Sequence, residues 1–163
     1  LLRAFGPTFD TAYTTGMRAK LGLSGSTDED QLATDFLRLL AENEIDYTLA
    51  LRRLCNAADG ETSDLRAMFS EPTGIDAWLE RWQQLRQQQP SLDGAAMRQI
   101  NPAFIPRNHR IEAVIAAATG GDFAPFEELV AVLSRPFDEQ PNFEAYAEPP
   151  QPEQRVTQTF CGT

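Results

Sequence analysis

Histidine and cysteine are nearly absent from this chain. Its 163 residues include one histidine, His109, and two cysteines, Cys55 and Cys161. A zinc site needs several such ligands at close spacing, so none is expected here. Two cysteines so far apart make no disulfide framework, and a reducing compartment is the default. Basic residues are also scarce. The 14 Lys and Arg stand against 24 Asp and Glu, leaving a net charge of -10. Nucleic acid and anionic lipid both require a positive surface, so neither is expected as a partner. No stretch approaches the ~20 consecutive apolar residues of a membrane span. No charged-then-apolar leader is seen.

The usual nucleotide-binding fingerprints are missing as well. There is no GxxxxGK followed by Ser or Thr, no GxGxxG, and no HRD or DFG set. The acidic runs Asp28-Glu29-Asp30 and Asp59-Gly60-Glu61 lack the spaced ligands and terminal Glu of a calcium loop. They read as helix N-terminal charges and a solvated turn. No alternating β-branched run is long enough for a strand.

What is present is apolar and helical. Hydrophobic residues make up 42% of the chain, enough for one ordinary domain with a core. A first helix is expected over about Phe9 to Leu21, ending at Gly22. Ser26 and Thr27, with Glu29 and Asp30 three residues on, open a second helix reaching about Glu42. Asp46 caps a third, whose Leu51, Leu54 and Cys55 share a face. A short turn follows from Leu65 to Phe69. Ile75, Trp78, Leu79, Trp82 and Leu85 form the clearest apolar stripe. Ser91 is read as the cap of a helix that ends before Asn101-Pro102, because a residue preceding proline leaves the α region. Pro106 suits the first turn of the next helix, which carries Ile111, Val114, Ile115 and Ala118. Asp122 caps a last helix with Phe126, Leu129, Val130 and Leu133 inward. From Pro136 the chain is rich in proline and reads as an extended tail, partly docked by Phe137, Phe143 and Tyr146. The expectation is an all-α fold: an irregular bundle of about six to seven helices over residues 1–135, then an extended Pro-rich tail over 136–163.

Five residues, Asn101, Pro102, Pro106, Arg107 and Asn108, form a stiff polar connector. Asn101 is expected to cap backbone, the prolines to fix φ, and Arg107 to pair with an acid or a carbonyl. His109 lies among Arg107, Asn108 and Arg110 and is expected to face solvent or a carboxylate. Trp78 and Trp82 are one helical turn apart, as core packing requires; were the stripe exposed, it would be a docking surface instead. Cys55 is on an apolar face and is expected to be inert. Cys161 lies between Phe160 and Gly162, on a segment where an accessible thiol can exchange disulfides.

Motifs from Met97-Arg98-Gln99-Ile100-Asn101-Pro102-Ala103-Phe104-Ile105-Pro106-Arg107-Asn108, through Arg135-Pro136-Phe137-Asp138-Glu139-Gln140-Pro141, to Phe160-Cys161-Gly162-Thr163 resemble the C-terminal end of the SelO family, also called YdiU. Weaker matches lie at Met17–Leu23 and Asp46-Tyr47-Thr48. The resemblance, together with a start at Leu1 rather than Met, implies a piece of a longer protein. It implies a kinase-like core elsewhere that uses ATP with Mg or Mn to transfer AMP to Ser, Thr or Tyr of protein substrates. On that reading no catalytic, cofactor or metal residue falls within this chain. Its partners are the kinase-like core and those substrates, and its setting is the bacterial cytoplasm. The resemblance also implies a redox role for Cys161, through a disulfide whose partner lies outside this chain. The competing reading is a helical protein-interaction module, with Cys161 incidental.

Overall fold

The computed structural model describes residues 2–23, 27–88 and 90–155. Regular structure in them is helical: α1 (Leu2–Lys20), α2 (Thr27–Glu42), α3 (Tyr47–Ala58), α4 (Ser63–Arg66), α5 (Thr73–Gln88), α6 (Gly94–Arg98), α7 (Asn108–Thr119), α8 (Ala124–Leu133), α9 (Glu144–Ala147) and a 3-10 turn at Pro152–Gln154. Six of these, α1, α2, α3, α5, α7 and α8, run ten residues or more. No strand occurs among the described residues. The all-α fold is therefore as the sequence indicates. The chain divides into two compact units at Asn101/Pro102. No helix among the described residues is long and apolar enough to cross a membrane.

The core of the first unit is built on the α5 stripe. Ile75, Trp78, Leu79 and Trp82 are all buried there. Trp78 stacks on Trp82 at 5.8 Å and meets Phe36 of α2 at 4.5 Å. A buried indole must also satisfy its N–H. Trp78 Nε1 donates to the Leu32 carbonyl and Trp82 Nε1 to the Leu21 carbonyl, each at 2.9 Å. The tryptophans are thus core residues, and this stripe is closed to docking. Asp46 caps α3 as expected, its side chain accepting from Leu49 N. Leu51, Leu54 and Cys55 face inward.

Two helix starts in this unit differ from expectation. α1 begins at Leu2, several residues before Phe9, and carries Pro7 inside it. Gly6 and Pro7 look like breakers. A proline at this position forgoes one intrahelical hydrogen bond and crowds the carbonyl four residues before it, a cost that α1 bears. The expected end is met: Gly22 takes φ 70, and a Cβ there would lie 2.6 Å from Met97 Sδ, so both conformation and space favour glycine. α6 starts at Gly94, and its cap is Asp93, which accepts from Ala96 N at 2.8 Å. Ser91 is not the cap. Leu92 N instead donates to the Gly22 carbonyl, which holds the approach outside the helix.

The second unit packs α7 against α8. The N-cap residue of α8 is Phe123, which makes no side-chain cap bond, rather than Asp122. Asp122, one residue earlier, closes a local turn in which its Oδ1 accepts from Ala124 N at 3.0 Å. The inward faces differ from the reading above. Leu129 and Val132 are buried, whereas Ile115, Phe126 and Val130 are about half exposed. Periodicity locates an apolar face only where polar residues mark the opposite one; in α7 the polar residues crowd into the first turns, and in α8 only the adjacent Glu127 and Glu128 are charged. A smaller core joins Ala103, Phe104 and Val132 to Phe143, Tyr146 and Ala147. The segment after Pro136 is docked by Phe143 and Tyr146 and departs from a plain extended run at α9 and the 3-10 turn. Gln140 pins it, its buried Nε2 donating to the Val132 and Arg135 carbonyls at 2.9 Å.

Candidate functional site

The connector residues fall in both units. Asn101 closes the first and is completely buried. Its Nδ2 donates to the Lys20 carbonyl at 2.8 Å and lies 3.6 Å from Cys55 Sγ. The carbonyl it satisfies is one that the end of α1 leaves without a helical partner. Its own carbonyl accepts from Arg52 at 2.9 Å, and the same guanidinium reaches the Arg98 carbonyl at 3.1 Å. Asn101 therefore caps backbone, as expected, but that of a remote helix. Beside it, Cys55 donates its S–H to the Leu51 carbonyl. Burial pushes the thiol up, and the Asn101 contact only partly opposes this. A raised pKa keeps the thiol protonated and poorly nucleophilic.

Pro102, Pro106, Arg107 and Asn108 belong to the second unit. α7 begins at Asn108, with Arg107 as its extended N-cap residue. Pro106 lies just before the helix rather than in its first turn. Its ring fixes φ and leaves ψ free, so it stiffens the approach without starting the helix. Ile105, Pro106, Arg107, Asn108 and His109 line a cleft of about 470 Å3 together with Pro150, Gln154 and Arg155. Two guanidiniums and a helix N-terminus make this cleft suited to an anion rather than a cation. Its eight lining residues among those described include no carboxylate and no hydroxyl or thiol.

His109 is not solvent-facing. It is 8% exposed, and its Nδ1 has no hydrogen-bond partner among the described residues. Burial holds its pKa below the usual histidine value, reinforced by the positive charges of Arg110 and Arg107. Folded His109 is therefore neutral where the unfolded chain already takes up a proton. Stability of the chain is expected to decline as pH falls below about 6.5, the unfolded histidine value. His109→Gln should flatten that decline, as read by urea denaturation at a series of pH values. An equal slope in both proteins would assign the effect to other groups.

The acidic runs are more engaged than solvated charges. Glu29 is fully buried beside Arg18, at 3.7 Å. Arg18 also grips Asp30 through two hydrogen bonds of 2.9 Å. Asp59 accepts from Gly94 N at 3.0 Å and from Arg98 at 3.1 Å, tying α6 to α3. No group of acidic, His and Cys side chains suited to a metal ion occurs among the described residues. Cys161 lies outside the described residues. Sequence reasoning did not single out Arg52, Arg155 or Gln140. Arg52 and Gln140 act on backbone carbonyls, and no local pattern marks such partners.

Comparison with known proteins places this geometry in a family. The family model described as protein adenylyltransferase SelO matches residues 1–134. The chain is 54% identical over 99% of its length to the protein nucleotidyltransferase YdiU of Bradyrhizobium sp. strain BTAi1. It is 49% identical to the YdiU protein of Nitrobacter winogradskyi, and 48% identical to that of Rhodopseudomonas palustris strain CGA009, again over 99% of the chain. It spans about a third of the length of these relatives, 33 to 34%. On the breadth of the family match and the identity along nearly its whole length, the chain belongs to the SelO family.

Proposed function

We propose that this chain is the helical, non-catalytic part of a protein that transfers AMP from ATP to Ser, Thr or Tyr hydroxyls of other proteins. The observation that carries the reading is the SelO match over residues 1–134, in relatives about three times as long. ATP and Mg or Mn belong, on this reading, to a kinase-like remainder outside these residues. The helical region supports that remainder, and the setting is the bacterial cytoplasm. In the reaction the acceptor hydroxyl attacks the α-phosphorus. A new O–P bond forms, the α–β bridge breaks, pyrophosphate leaves and the hydroxyl proton passes to a base. Cys161 is assigned a redox role by resemblance, through a disulfide to a thiol outside this chain.

The test compares the full-length protein with this 163-residue chain. Each is incubated with a protein substrate, a divalent metal and ATP labelled at the α- or the γ-phosphate. Label is expected to move only from the α position and only with the full-length protein. Transfer from the γ position would make the protein a kinase. Transfer by the 163-residue chain alone would place an active site within it. In the same assay, Cys161→Ser should abolish any response to oxidant, and an undiminished response would remove the redox role.

A further inference from the structure

The α7–α8 hairpin exposes more apolar surface than a solvated element tolerates. Seven large hydrophobic side chains are exposed among the described residues, and four of them, Ile115, Phe123, Phe126 and Val130, lie on this one hairpin. Single exposed hydrophobics are ordinary, but clustered ones mark a contact surface. Phe123, Phe126 and Val130 follow helical spacing, so they share one side of α8. The opposite side already buries Leu129 and Val132. A helix that is apolar on both sides is built to be covered on both.

We propose that this outer face of α7–α8 docks onto the remaining two-thirds of the polypeptide. The inference rests on the reading above only in requiring that this remainder exist. Two observations select it. The relatives carry about twice as much chain outside the matched third as within it. In addition, beyond the first turn of α7, which carries Arg110, the hairpin has only acidic charges: Glu112, Asp122, Glu127 and Glu128, the last accepting from the Tyr146 hydroxyl. All four are exposed. An isologous pair of such faces would set acid against acid, which disfavours a second copy. The surface that fits is apolar at its centre and rimmed by Lys and Arg.

The test uses the full-length protein carrying Val130→Cys on a Cys161→Ser background, with thiol labelling read peptide by peptide. Val130 is 51% exposed in this chain, so an open face would label freely. Labelling at position 130 is expected to be slower than in denaturant by at least about tenfold, and independent of protein concentration. Labelling at the denatured rate would overturn the proposal. So would protection that disappears on dilution, or a particle whose mass Phe126→Glu halves, since either assigns the face to a second copy. The labelling does not read AMP transfer, so either claim can fail alone. A native protein with an intact mass of 18.1 kDa would remove the premise of both.

Discussion

Trp82→Ala is expected to destabilise the first unit by about 4 kcal/mol, within the ~3–5 kcal/mol range for truncating a buried aromatic to alanine. Trp82 is fully buried and stacks on Trp78. The Arg86 guanidinium covers its ring at 4.8 Å from the centroid. Its Nε1 closes the end of α1 through the Leu21 carbonyl. The alanine variant therefore loses area, stacking and a hydrogen bond together, and strands a buried carbonyl. Against a total stability of ~5–15 kcal/mol for an ordinary domain, that loss threatens folding at growth temperature. Trp82→Phe separates the contributions. It keeps an aromatic ring and gives up the hydrogen bond, at a cost of about 1–3 kcal/mol. Urea denaturation followed by circular dichroism reads both variants. A loss below about 1 kcal/mol for the alanine variant would mean that Trp82 is not a core residue.

The features legible in the sequence are those whose causes are local. Asp46 caps α3 because a carboxylate beside a helix start meets orphan N–H groups within three residues. The α5 stripe is legible because polar residues mark its other side. Orientation failed where that contrast is missing, as on α7 and α8, and where a distant partner decides the outcome. Ser91 and Asp93 are both competent caps. The bond from Leu92 N to the Gly22 carbonyl selects Asp93, and Gly22 is remote in sequence. Asn101 is recognisable as a polar corner, but its partner Lys20 is 81 positions away. His109 reads as a surface residue among arginines. Its burial follows from the fold of the second unit, which its neighbours do not encode.

Gly94→Ala is expected to destabilise the first unit by about 3 kcal/mol, the upper part of the usual range for overpacking. A Cβ at Gly94 would lie 2.2 Å from Asp59 Oδ2 and 2.4 Å from the Cys55 carbonyl oxygen. The carboxylate is able to swing away. The Cys55 carbonyl is part of the α3 backbone and is not. α6 must then retreat from α3, which strains the Gly94 N–H bond to Asp59 and the Arg98 bonds to Asn56 and Asp59. It also disturbs Arg52, which spans the Arg98 and Asn101 carbonyls. The effect thus reaches the buried Asn101 through a chain of named contacts. A double-mutant cycle with Asp59→Ala identifies the obstacle. If the Cys55 carbonyl is responsible, removing the Asp59 side chain leaves most of the penalty of Gly94→Ala in place. If the penalty vanishes in the double variant, the carboxylate was the only obstruction and α6 is free to stay where it is.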